Sequence, residues 1–292
     1  MLDATAATRQ IARLARQPAA PWLHADIARR MAERLAVIRM QPRTVLNWWG
    51  FLGDSFDALH QAYPQAVQIW VEPSQALLDR ASERVRRPWW SAMLRRAPKV
   101  EVLLEQDLTP GAAQMLWANM MLHLCADIPA VLKRWHSALA VDGFVMFSCL
   151  GPDSLRELRP IYLNMGWGAP LQDWVDMHDI GDLLGQAGFA DPVMDQEHIV
   201  LTWGDAQTLL ADLRSLGGNL APARFEGLRG RQWREALLKA LESLRGADGR
   251  LRLTLELVYG HAFKPQPRLA MSPETSFSLD QMRAMVRRGE AI

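Results

Sequence analysis

AQMLWANMMLHLCADIPAVLKRWHSALAVDGFVMFSCL, residues 113–150, decides the fold. Its first seven residues, AQMLWAN (113–119), form a short apolar run of strand length. IPAVLKRWHSAL (128–139) has the spacing of an amphipathic helix, and GFVMFSCL (143–150) is an unbroken apolar run that suits a strand buried on both faces. A strand, a helix and a second buried strand predict a parallel unit with a right-handed crossover.

The same alternation runs upstream. TVLNWWG (44–50) reads as a short buried strand entering a glycine-containing turn. DSFDALHQAY (54–63) reads as a helix with Asp54 or Ser55 as its N-cap. AVQIWVEPS (66–74) is a second strand stopped by proline, SQALLDRASERV (74–85) a helix, and VEVLLEQD (100–107) a third strand ending in acids. The connection RVRRPWWSAMLRRAPK (84–99) is basic and carries tryptophans. Ahead of these lie an Ala/Arg-rich loose helix in 1–20 and HADIARRMAERLAVI (24–38), with Ile27, Met31, Leu35 and Ile38 at helical spacing. Downstream, MHDIGDLLGQAGF (177–189) predicts a helix and EHIVLTW (197–203) a strand. Two polar helical stretches follow, 205–216 and 231–245, and LRLTLELVYGHAF (251–263) alternates like a strand packed on one side. Residues 264–292 read as a loose tail with one short helix near 279–288. The fold class is α/β, a doubly wound parallel sheet.

Composition narrows the function classes. With 49% hydrophobic and 22% charged residues over 292, the chain buries a large core. A formal net charge of +1 gives no global field that would select nucleic acid or membrane. Cys125 and Cys149 stand far apart without a CxxC pairing, which argues against a disulfide framework or a cysteine zinc site. No apolar run approaches the ~18 residues of a membrane span, and the N-terminus has no signal-peptide core, so a cytoplasmic protein is expected. The seven histidines show no HxxxH pairing and the acids are scattered, so no metal site is expected. Twelve tryptophans fit either a ring-rich core or an apolar cleft.

LWANMMLHLCADIPAVLKRWHSALAVDGFVMFSCLGPDSLRELR (116–159) resembles the malonyl-[acyl-carrier protein] O-methyltransferases of biotin synthesis, within the class I S-adenosylmethionine (SAM) methyltransferase superfamily. The shared order is a strand ending in Asn, an apolar-aromatic stretch, a helix, a turn with Gly, and a strand ending in a small-polar pair. A Gly-x-x-Ser-Leu-x-Glu-Leu segment follows. RSLGGN (214–219), TLELVYGHAF (254–263) and WLHADIARRMAERL (22–35) also resemble that family, although Trp22 stands where tyrosine is usual. The resemblance covers roughly residues 20–263. It implies a seven-stranded Rossmann-like methyltransferase sheet with a helical lid insertion at 205–250 before the last strand. It also implies N-terminal helices within 1–40, a domain of residues 1–263, and SAM as cofactor.

Three elements would hold that cofactor. The family's turn after the first strand reads Asp-x-Gly-x-Gly-x-Gly, because only glycine lets backbone approach the methionine moiety and tolerates positive φ. Here it is Asn47-Trp48-Trp49-Gly50-Phe51-Leu52-Gly53, with Asn47 for the acid, Trp49 and Phe51 for two glycines, and Gly53 kept in register. A shifted loop would use Gly50. Glu72 stands where an acid takes the ribose hydroxyls, and Asp107-Leu108 where the adenine is held, after a shortened connection. Each also reads plainly, Glu72 as a solvated strand end and Asp107 as a turn former.

Toward the acceptor, the resemblance places Asn119 where residues face the methyl group, and His123, four residues on, is a candidate for the same cleft. Arg156 and Arg159, just past the fifth strand, are the nearest cations in sequence for an acceptor carboxylate, with Tyr162 as a hydrogen-bond donor. The plain readings are a helix-capping Asn, a packed His and surface arginines. Methyl transfer to an ionised carboxylate needs alignment and water exclusion rather than a strong base, and alignment is worth roughly 7–11 kcal/mol. The basic segment 84–99, with Arg84, Arg86, Arg87, Arg95, Arg96 and Lys99 around Trp89 and Trp90, suits an acidic acyl-carrier protein. It carries no RNA-binding signature. Two functions stay open: an O-methyltransferase using SAM on a carrier-borne or small carboxylate, and a catalytically inactive methyltransferase-fold protein that binds a carrier protein or enzyme partner. The first expects an open cleft above Gly50, Glu72 and Asn119. The second expects Trp49 and Phe51 to fill it.

Overall fold

The computed structural model describes residues 2–86 and 99–267. Seven strands form one sheet: β1 (Thr44–Trp48), β2 (Val67–Glu72), β3 (Val100–Leu104), β4 (Ala113–Asn119), β5 (Leu139–Leu150), β6 (Ala190–Trp203) and β7 (Leu251–Phe263). Their order is β3-β2-β1-β4-β5-β7-β6. The first five are parallel, but β7 runs antiparallel between β5 and β6. The parallel alternation read for the first five units is what forms, and the antiparallel return of β7 makes the whole a mixed sheet. β6 and β7 pair through their length, from Ala190 against Phe263 to Trp203 against Leu251, so the chain returns beside β6 after the excursion between them.

Alternation along the strands builds the two core layers, since successive side chains point to opposite faces. Leu46, Trp48, Leu116, Ala118, Val145 and Phe147 share one buried cluster with α1 (Ala4–Ala15), α5 (Gln75–Val85), α6 (Ile128–Ala138) and α8 (Met177–Gln186). Val45, Met115, Trp117, Phe144 and Met146 share the other with α2 (Trp22–Glu33) and α4 (Phe56–Ala62). Trp48, Trp70, Trp117 and Trp135 are almost fully buried, so four of the tryptophans are core rings rather than cleft walls. Trp135 meets Trp48 edge-on at 6.4 Å and Phe147 at 5.7 Å; truncating such a ring to alanine costs roughly 3–5 kcal/mol.

Other differences have local causes. The expected helix 54–63 forms as α4, and a separate short helix, α3 (Gly50–Gly53), precedes it, with Asp54 turned left-handed at φ 48° between them. Neither proposed cap bonds a helix amide through its side chain; Ser55 Oγ instead donates to the Gly53 carbonyl. β7 is buried along nearly its whole length rather than on one side, because β5 and β6 flank it and helices cover both faces. A helix unread in the sequence, α7 (Leu158–Asn164), follows β5. α9 (Ala206–Leu216) and α10 (Arg231–Leu241) sit between β6 and β7 and share a buried cluster with α7 through Leu158, Leu209, Leu237 and Leu241. Most of the basic segment, 87–98, and the tail from 268 onward, where the sequence predicts a short helix near 279–288, lie outside the described residues. Among the described residues no helix is long and apolar enough to cross a membrane.

Candidate functional site

Strand order reverses between β1 and β4, and in such sheets the crevice at the carboxyl ends of those strands takes the ligand. Here the chain leaves β1 at Trp49, which is left-handed at φ 54° and ψ 50°. It leaves β4 at Met120, also at φ 54°. Non-glycine residues pay for that conformation, so the turn is held by its surroundings.

Several contacts fix the turn after β1. The Trp49 amide donates to the Val71 carbonyl at 2.7 Å, and the Gly53 amide to the Trp49 carbonyl at 2.8 Å. The Trp49 indole Nε1 donates to Oε1 of Glu105 at 2.7 Å, and the other oxygen of Glu105 pairs with Arg134 at 2.7 Å. The Phe51 amide donates to Oε1 of Glu72 at 2.7 Å. Both rings are buried, Trp49 at 5% exposure and Phe51 at 2%. The Arg80 guanidinium lies 5.0 Å from the centre of the Phe51 ring and donates to the Ala15 and Pro18 carbonyls, which ties α5 and α1 over it.

The residues of the expected cofactor site do not fit SAM in this arrangement. A Cβ on Gly50 would stand 2.7 Å from the Trp70 indole, so this glycine makes room for a core ring and not for a ligand. Glu72 has no exposed surface, and burial pushes its carboxyl up to about 8, against the Phe51 amide bond that favours the charged form. Its second oxygen has no partner, and neither do the side-chain oxygen and nitrogen of buried Asn47. The main cavities among the described residues are not lined by Trp49, Gly50, Phe51 or Glu72. Asp107 is exposed in the single turn Glu105–Asp107, with Leu108 half-buried behind it. The acid that reaches the turn is Glu105, which the sequence reading passed over among several acids at that strand end.

Asn119 is a clamp. Its Nδ2 donates to the His24 carbonyl at 2.8 Å and to the Gly53 carbonyl at 2.6 Å, while Oδ1 accepts from Ser148 Oγ at 2.7 Å. It is 1% exposed, so the expected methyl-facing role is replaced by one that pins α2 and the turn to the sheet. His24, unread in the sequence as a functional residue, adds a bond between its Nδ1 and the Leu52 carbonyl at 2.7 Å, which sets the proton on Nδ1. Burial lowers His24 to about 4 and His123 to about 3, so both imidazoles are neutral.

Beyond this clamp the site opens. A cavity of about 260 Å³ lies between α2, the end of β4, α7 and the helices α9 and α10. Its wall is mostly leucine, with His24, His123, Tyr162 and Trp174 among it. Met120 and Leu155, both at positive φ, border it. Three of its lining residues carry a buried polar atom with no partner among the described residues: His123 Nδ1, Trp174 Nε1 and Trp233 Nε1. Among the described residues Arg214 is the one cation on its lining. A second cavity of about 80 Å³ continues past His123 and Trp174 toward Cys125 and Cys149. Both thiols are free and burial pushes each up to about 12, so neither is a nucleophile at neutral pH.

Of the acceptor-side residues, the structure brings His123 and Tyr162 to the cavity and leaves Arg156 and Arg159 outside its lining. Arg156 pairs with Asp153 at 3.0 Å, and Arg159 donates to the Pro152 carbonyl. Tyr162 packs edge-on against Trp167 at 5.5 Å and Trp233 at 6.5 Å, an aromatic cluster that spacing alone could not bring together. Asp153, His198 and Glu256 gather within 4.8 Å, but Asp153 is paired with Arg156, and one Glu256 oxygen accepts the Asp153 amide.

No family model matches the chain. A malonyl-[acyl-carrier protein] O-methyltransferase of Gallionella capsiferriformans is 37% identical over 265 residues, covering 88% of this chain and 90% of that protein. The enzyme of the same name from Laribacter hongkongensis is 38% identical over 255 residues, 84% of each chain. Among solved structures, a Bacillus halodurans protein assigned as a methyltransferase superposes with a TM-score of 0.54 at 12% identity, covering 82% of this chain and 99% of that one; this supports the fold alone. The mixed seven-stranded sheet and the similarity over most of its length make this a SAM-dependent methyltransferase-like protein, and the chain belongs to the malonyl-[acyl-carrier protein] O-methyltransferase family.

Proposed function

We propose that this chain binds an acyl group borne on an acyl-carrier protein, the acceptor class named for its relatives, in the cavity beneath α9 and α10. The observation that carries this reading is the open cavity of about 260 Å³ on the acceptor side of a turn that is itself closed. Apolar walls suit the carbon chain and the arm that presents it. His123, Tyr162, Trp174 and Trp233 are the lining side chains that carry a donor for a carbonyl or carboxyl oxygen, and Arg214 carries a charge that complements a carboxylate's. The acidic face of the carrier is placed against the basic segment 84–99; of its described cations, Arg84 is already paired with Asp54, leaving Arg86 and Lys99 for this role.

The test is titration of the whole chain with malonyl-, longer acyl- and unloaded carrier protein. Loaded carrier should bind at least about 10-fold tighter than unloaded carrier, equal to ~1.4 kcal/mol. Leu210→Trp, which fills the cavity from α9, should erase that difference. Equal affinity for loaded and unloaded carrier, or no binding of either, contradicts the reading. O-methyl transfer from SAM to the malonyl carboxylate is the second reading, and family membership favours it. Methyl ester formed from malonyl-carrier and SAM, assayed by mass, distinguishes the two.

A further inference from the structure

We infer that this chain does not hold SAM at the family's cofactor turn, because the turn's own rings occupy the space and neighbouring helices lock them there. Trp49 and Phe51 stand at positions where the family pattern has glycine, and both rings are buried. Neither is loose. The Trp49 indole is bonded to Glu105, itself paired with Arg134, and Phe51 lies under Arg80, which is tied to the end of α1.

Glu72 gives a second sign. An acid that serves ribose hydroxyls must reach a ligand, yet this one is fully covered, neutral at pH 7, and capped on one oxygen by the amide of Phe51. The clamp adds a third. Asn119 and His24 together bind the carbonyls of Leu52 and Gly53 and the start of α2, so the turn cannot swing outward without breaking these buried bonds. Gly50 offers no way round, since the space beside it belongs to Trp70. Helices α1, α2 and α5 thus do for the turn what a bound cofactor does in an open site: they satisfy it. The acceptor cavity shares His24 with this clamp but is not lined by Trp49, Phe51 or Glu72.

The experiment is calorimetric titration of the whole chain with SAM and with S-adenosylhomocysteine. The same samples are followed by hydrogen exchange at the amides of residues 49–53. The wild-type chain should give no heat up to millimolar ligand, about 1,000-fold weaker than a micromolar site. The turn amides should be equally protected with and without ligand. Trp49→Gly combined with Phe51→Gly, which restores the two glycines, should gain sub-millimolar binding that Glu72→Gln then removes. Micromolar heat from the wild type, or ligand-induced protection at 49–53, overturns the inference. So does a folded double variant that still binds nothing, because the rings would then not be the obstruction. If that variant does not fold, the wild-type titration and exchange decide.

Discussion

The amide of Phe51 donates to Oε1 of Glu72 at 2.7 Å, so the residue that closes the turn also caps the acid that an open turn would present. The two are one device. Both residues are buried, and it is burial that holds Glu72 in its neutral form against the Phe51 amide bond.

Glu72 therefore has a measurable pH signature. Its folded pKa is raised from 4.5 to about 8, so its contribution to stability is fully present below about 4.5 and is lost as pH rises through 8. Glu72→Gln removes this slope. The melting temperature of the variant relative to wild type should climb steadily from pH 5 to pH 8.5. A constant difference means that Glu72 is already ionised and solvated.

The buried imidazoles act in the opposite direction. His24 is lowered from 6.5 to about 4 and His123 to about 3, so their contribution is fully present above 6.5 and is lost as pH falls through those values. His123→Leu should be neutral or stabilising at pH 7, because Nδ1 has no partner to lose, and should flatten the acid limb between pH 6 and 4. An unchanged acid limb in urea titrations contradicts the burial of this ring.

Asn119 should behave as structure and not as chemistry. Asn119→Ala leaves the buried His24 and Gly53 carbonyls and the Ser148 hydroxyl short of a partner, at ~2–4 kcal/mol of stability in denaturant titration. A variant of wild-type stability means that the three bonds are not made together.

Gly50→Ala probes the packing behind the turn. With Trp70 at 2.7 Å from the new methyl carbon, the substitution should cost roughly 1–3 kcal/mol, read as a lower melting temperature. A chain that melts with wild type has free space beside Gly50, and the turn is then not packed as described.

The sheet was legible because each strand is a short apolar run between helices of clear period, and AQMLWAN and LRLTLELVYGHAF matched β4 and β7 residue for residue. The direction of β7 was not legible, since pairing is decided by partners distant in sequence. β6 begins at Ala190, seven residues before the expected start, because its first half is broken by a shift against β7 and carries polar residues on an exposed edge. In the site, Trp49, Phe51 and Glu72 could be singled out because a turn pattern assigns them places. His24 and Glu105 could not. Their roles come from meeting a carbonyl 28 residues away and an indole 56 residues away, and no local pattern records such meetings.

The central claim is that the acceptor side is open and the donor side closed. Hydrogen exchange on one preparation, with malonyl-carrier protein and SAM added separately, tests both halves together. Carrier should protect amides in α9 and α10, while SAM at millimolar concentration should leave residues 49–53 unchanged. Protection of 49–53 by SAM, or no protection of α9 and α10 by loaded carrier, contradicts the account.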